Sequence, residues 1–152
     1  MYINCWHSNQ HESAAMWKIY LKSDEGIAVR STFDRLARCF DEDDKLNQVC
    51  IGRVDYLDYD NAEIPMNNAF YPFVSKRVSF AHEREVRAVI MMPAANEAPG
   101  LNIHVDLATL VEEVVLAPFS PVWIRELAAA VLRRYSLEAP LRQSRLGEDP
   151  LY

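Results

Sequence analysis

The stretch Ser75-Lys76-Arg77-Val78-Ser79-Phe80-Ala81-His82-Glu83-Arg84-Glu85-Val86-Arg87-Ala88-Val89-Ile90 governs the reading of the whole chain. From Glu85 to Met92 it is a β-branched, apolar run stopped by Pro93, which reads as a buried strand. Immediately before and inside its start lie Glu83 and Glu85, His82, and the cations Lys76, Arg77, Arg84 and Arg87. Charge that dense at the mouth of a strand is either an ion-pair ladder or a site. If the segment is extended from Glu83, alternation puts Glu83, Glu85 and Arg87 on one face and Arg84, Val86 and Ala88 on the other. Carboxylates two apart on a strand lie roughly 7 Å from each other, close enough to split their pKa values. Arg87 would hold one of them ionised, and His82 could move a proton near neutral pH. The alternative is mutual neutralisation, with Lys76, Arg77, Arg84 and Arg87 pairing Glu83 and Glu85. The pattern Glu-x-Glu leaves both readings open.

Outward from that block, Tyr2–Trp6 reads as a first strand. Asn9 with Glu12 three residues later resembles a capping box, opening a helix to about Lys22 with Ser13, Met16, Trp17 and Tyr20 at helical spacing. Gly26 supplies a turn by taking a positive φ. Ile27–Ser31 reads as a strand, and Ser31 or Thr32 caps a helix whose stripe is Phe33, Leu36, Ala37 and Phe40. Asp41–Asp44 reads as a solvated loop and Val49–Tyr59 as one long strand. Residues 61–72 read as an irregular loop, 73–80 as helical through Phe73, Val74, Arg77 and Val78, and 94–100 as a loop. Leu101–Val105 and Val111–Leu116 are further strand candidates around a brief helical turn. Ser120-Pro121 starts a helix whose core face is Ile124, Leu127, Ala128, Val131, Leu132 and Tyr135. Leu141–Ser144 adds a last strand, with a tail from Gly147. The expected fold is α+β: a single domain with a mixed or mostly antiparallel sheet flanked by helices.

Bulk properties narrow the function classes. A chain of 152 residues can bury roughly 70% of its unfolded surface. The formal charge of −6 makes nonspecific binding to nucleic acid or an anionic membrane unexpected, and nuclease activity with it. No apolar stretch approaches the ~20 residues of a membrane span. With no signal-peptide pattern either, the expected location is cytoplasmic. Cys5, Cys39 and Cys50 are odd in number and widely spaced, which suits reduced thiols. No metal site is expected from them or from His7, His11, His82 and His104.

Two further sets of residues are candidates. His7 with Trp6 and the aromatics of the first helix could line a pocket for a planar ligand, or be ordinary core and loop residues. Arg30 could clamp a phosphate or carboxylate, or sit exposed on its strand.

Taken in order, Cys5-Trp6-His7, Glu12-Ser13-Ala14-Ala15-Met16-Trp17-Lys18-Ile19-Tyr20, Gly26-Ile27-Ala28-Val29, the block from Lys76 to Arg87 and the tail Ser144 to Tyr152 form a pattern. By that pattern the chain resembles the bacterial and phage family called domain of unknown function 2971, over nearly its whole length. The resemblance implies a distant likeness to ADP-ribosyltransferase-type folds. There, a Glu on a late strand grips the ribose of NAD. On that analogy Glu85 takes this role with Glu83 as companion and His7 as a third catalytic group. Trp6, Arg30, Lys76, His82 and Arg87 would then bind the nucleotide, and a carboxylate at the sugar would stabilise an oxocarbenium-like transition state. Family chains carry a further segment before the Cys-Trp-His strand, so this chain is expected to lack part of the usual domain. The competing expectation is a noncatalytic module of a mobile-element or defence system. Its N-terminal strand edge would pair with a protein partner or a second copy.

Overall fold

The computed structural model describes residues 1–40, 48–63, 67–91 and 99–148. The expected loops at 41–44 and 94–98, Met92 at the end of the expected strand, Pro93 and the tail from 149 lie outside the described residues. The chain is α+β, built from short helices and three small, mostly antiparallel sheets. It divides into two compact units, one comprising Met1–Gln10 and Glu42–Ile103, the other His11–Asp41 and His104–Tyr152.

The elements in chain order are β1 (Tyr2–His7), α1 (Ala14–Tyr20), β2 (Ile27–Arg30), α2 (Phe33–Arg38), β3 (Val49–Arg53), β4 (Asp55–Leu57), β5 (Ser75–Arg77), β6 (Glu85–Ile90), α3 (Leu107–Leu110), β7 (Glu113–Leu116), α4 (Val122–Arg134) and β8 (Leu141–Gln143). Short 3₁₀ segments at Tyr71–Val74 and Val78–Glu83 flank β5.

In the first unit β6 is the middle strand, antiparallel to β1 on one side and β3 on the other. Its residues are buried on both faces except for the half-buried Arg87, which is why it reads as a nearly continuous apolar run rather than an alternating one. Val89 is fully buried, with Val86, Ala88 and Ile90 close behind. The expected single strand 49–59 is broken at Val54, which is buried and turns its N–H to the Glu85 carbonyl at 2.9 Å. Beyond the break, β4 pairs in parallel with β5. The segment 73–80, expected to be helical, is therefore extended at its centre: Ser75–Arg77 gain a ladder to β4 that a helix would forfeit.

In the second unit β7 is central, antiparallel to β2 and parallel to β8. Parallel neighbours need a crossover, and α4 supplies it. Val114, Val115, Leu116 and Ala117 are all buried, joined by Leu36, Cys39, Val111 and Ile124. The 101–105 strand does not form among the described residues; only a bridge joins Val105 to Phe40.

The caps correct several expectations. Ser13, not Asn9, caps α1, its hydroxyl accepting from the Met16 N–H at 3.4 Å. Thr32 caps α2 by the same means at 3.2 Å from the Arg35 N–H. Gly26 does not take a positive φ. In α2 the buried positions are Leu36 and, just past the helix, Cys39, while Phe33 is half exposed. In α4 only Ile124 is buried; Leu127, Val131 and Tyr135, expected in the core, face solvent. Helix α4 closes on Ser136 in the left-handed region (φ 51°), with the Leu137 N–H returning to the Leu132 carbonyl at 2.9 Å.

Gly52 on β3 stands opposite Arg87 and marks where the 3₁₀ turn before β5 presses on the sheet. A Cβ there would lie 2.8 Å from Phe70 Cε1 and 3.3 Å from Val74 Cγ1. Gly52→Ala should therefore push Phe70 out of place and cost about 1–3 kcal/mol. Urea unfolding followed by tryptophan fluorescence checks this, and an unchanged midpoint would contradict it.

Candidate functional site

The charge-rich block is assembled by three neighbouring pieces of the first unit. The 3₁₀ turn Val78–Glu83 ends on Arg84, which adopts the left-handed conformation (φ 43°) and turns the chain into β6. Glu83 is thus outside the strand, while Glu85 and Arg87 share one face of it by simple alternation. The segment from Tyr71 to Arg77 crosses that face. It is fixed by the Ser75 hydroxyl donating to the Tyr71 carbonyl at 2.8 Å and by Arg87 Nη1 donating to the Phe73 carbonyl at 2.7 Å.

The result is a quartet in the order Glu83, Lys76, Glu85, Arg87. Lys76 Nζ donates to Glu83 Oε2 and, at 2.8 Å, to Glu85 Oε1. Arg87 Nε donates to Glu85 Oε2 at 2.5 Å. Both oxygens of Glu85 are therefore engaged by cations, and its side chain is only 8% exposed. Its backbone N–H donates to the Tyr56 hydroxyl at 2.8 Å. The Lys76 ammonium also lies 4.6 Å from the centre of the Phe80 ring. Two carboxylates face two cations, so the cluster is neutral and closed.

Burial pushes the Glu85 carboxyl upward, but hydrogen bonding, from Arg87 first and also from Lys76, outweighs it and brings it down to about 2. Burial raises the Lys76 question in reverse: desolvation lowers its pKa, yet its bonds to Glu83 and Glu85 leave it raised overall. Cys5 sits opposite Arg87 on β1. Burial first, then the Glu85 charge, push its thiol up, so it is protonated at neutral pH and poorly suited to nucleophilic attack.

The remaining expected site residues are distributed as follows. His7 pairs with Glu85 in the β1–β6 register, and its Nδ1 donates to the Glu83 carbonyl at 2.6 Å, which leaves Nε2 without the proton in the neutral ring. Trp6 points to the opposite face of the sheet from His7 and Glu85, its Nε1 bonded to Asn4 Oδ1 at 2.5 Å. His82 is exposed on the 3₁₀ turn. Arg30 belongs to the second unit, where its guanidinium meets Glu113 at 3.2 Å and Glu112 at 3.5 Å. Lys76 and Arg87, expected to bind the nucleotide, direct their charged groups to Glu83 and Glu85.

A second network, in the second unit, was not singled out from the sequence. Arg142 on β8 bridges Glu12 Oε1 at 2.7 Å and Glu113 Oε1 at 2.8 Å. The buried Ser144 hydroxyl donates to Glu12 Oε2. Burial acts to raise the Glu12 carboxyl, but Ser144 and Arg142 leave it lowered; Glu113 is lowered chiefly by Arg142. The available signal was the alternation Arg142-x-Ser144, which puts both on one strand face, together with a Glu12 that Ser13 leaves free of capping duty. Among the described residues no group of three His, Cys, Asp or Glu side chains is arranged to hold a metal ion, and no helix is long and apolar enough to cross a membrane.

No protein-family model, curated protein or solved structure matches this chain.

The quartet makes a pH prediction. A folded-state pKa depressed from 4.5 to about 2 contributes stability that is fully present above about pH 5 and is lost as pH falls toward 2. The contribution is on the order of 3 kcal/mol. Glu85→Gln, which strips one buried partner from two cations, should cost about 3 kcal/mol at pH 7. Urea titrations at pH 7 and pH 3 should show the parent losing stability in acid and the variant losing less. Equal losses in both would contradict the assignment.

Proposed function

We propose that this chain is a noncatalytic protein-interaction module of the domain of unknown function 2971 type, and that the β1 edge takes up an extended segment of a partner chain. The observation that carries the reading is the state of that edge. Strand β1 is six residues long and pairs on one side with β6; no second strand pairs with it among the described residues. The Ser8 N–H bonds the Arg84 carbonyl at 2.9 Å, which sets the phase of the antiparallel ladder. Even-numbered residues of β1 then point their backbone groups at β6, and Ile3, Cys5 and His7 point theirs outward. Edge strands are ordinarily blunted by Lys, Pro or a bulge. Tyr-Ile-Asn-Cys-Trp-His has none of these, and Ile3 is 39% exposed. The opposite edge, β3, is half-buried over Val49–Gly52. Main-chain pairing to such an edge supplies affinity, and alternate side chains supply selectivity.

The quartet supports the same reading from the other direction. Both carboxylate oxygens of Glu85 already accept from cations and its side chain is only 8% exposed, so a ribose hydroxyl of NAD would have to reach it past Lys76 and Arg87.

A random-peptide display selection against the parent protein tests this. Selected peptides should alternate apolar residues and lose binding to Ile3→Pro, which removes an outward N–H and no bond to β6. NAD should leave the melting temperature unchanged. Stabilisation by NAD that disappears in Glu85→Ala would overturn the reading in favour of ADP-ribosyl transfer.

A further inference from the structure

Helix α4 carries a second apolar stripe that the second unit does not use. Ile124 is its one buried residue, with Ala128 and Leu132 half-buried on the same side. On the far side Trp123, Leu127, Ala130 and Arg134 follow one another at spacings of four, three and four, the interval of a helix–helix seam. Trp123 is 50% exposed and Leu127 54%; next to Leu127, Val131 is 46% exposed. An apolar stripe of this size on a helix is a contact surface in search of a partner.

The stripe is complementary to itself when reversed. About a two-fold axis near its middle, Leu127 faces the partner's Ala130, so a large side chain meets a small one and the backbones can approach. Trp123 faces the partner's Arg134, whose guanidinium can stack on the indole. Along one flank of the seam, Glu126 comes opposite the partner's Arg133. A two-fold contact repeats each of these pairs, so every favourable match counts twice. A parallel arrangement would instead set Glu126 beside the partner's Val131, leaving the charge unmatched.

We propose that α4 is a self-association surface, and that two copies of this chain pair antiparallel through Trp123, Leu127, Ala130 and Arg134, with Glu126 bridging to Arg133 across the axis. The inference is independent of the β1 edge. A helix face of 13 residues buries less than the ~1,200 Å² of a standard interface, so the dimer is expected to be of micromolar affinity.

Sedimentation equilibrium of the full chain over about 1–200 μM tests it, with circular dichroism to verify folding. The parent should shift from monomer to dimer mass across that range. Glu126→Arg and Arg133→Glu, each placing like charges opposite one another, should each weaken the dimer at least about tenfold. The double exchange Glu126→Arg with Arg133→Glu should restore it. A parent that stays monomeric overturns the proposal. So does a dimer indifferent to the single exchanges, one not restored by the double exchange, or one broken instead by Ile3→Pro.

Discussion

The carboxylate of Glu85, held between Lys76 and Arg87, is the contact on which the first unit depends. It starts the central strand β6, and its backbone bonds to Tyr56 and Val54 place β4 and the end of β3. Through Lys76 it also fixes β5 above the sheet. Remove the charge and Arg87 loses its carboxylate partner, and Lys76 one of its two, in a place with little water to replace it. That asymmetry makes a buried ion pair costly to break, even where its net contribution to folding is small. Alternating the signs along Glu83, Lys76, Glu85 and Arg87 keeps the local sum near zero.

The second unit repeats the device with different residues. Arg142 gathers Glu12 and Glu113, and Ser144 completes the shell of Glu12. Glu12 and Ser144 are 132 positions apart in sequence, so this network closes the unit across nearly the whole chain. Glu12, Lys76, Glu83, Glu85, Arg87 and Ser144 all join segments distant in sequence. Such a pattern is what fold maintenance requires, and it needs no substrate to explain it.

Strong local signals were legible in the sequence. The β6 run, the β7 run ahead of Ser120-Pro121, a helix cap at Ser31 or Thr32 and the α+β class all follow from periodicity and capping. Three things were not legible, for physical reasons. The break at Val54 carries no proline or glycine and is imposed by a bond to Glu85 on a distant strand. The extended conformation of Ser75–Arg77 depends on β4, so helical spacing of Val74 and Val78 was misleading. The apolar residues of α4 outnumber those its sheet can cover, so periodicity alone assigned Leu127 and Val131 to the core. Within the candidate site, alternation paired Glu85 with Arg87 correctly. It could not reveal that Glu83 lies on a turn, that Trp6 faces away, or that Arg30 is engaged by Glu112 and Glu113.

The charge pattern at the mouth of β6 thus has a structural account that stands without a reaction. The measurement that bears on it most directly is a carbon-13 NMR titration of the Glu85 side-chain carboxyl in the parent protein. The account predicts a midpoint near 2. A midpoint at or above the ordinary carboxylate value of about 4.3 would mean that Lys76 and Arg87 do not hold this group, and the account would fail.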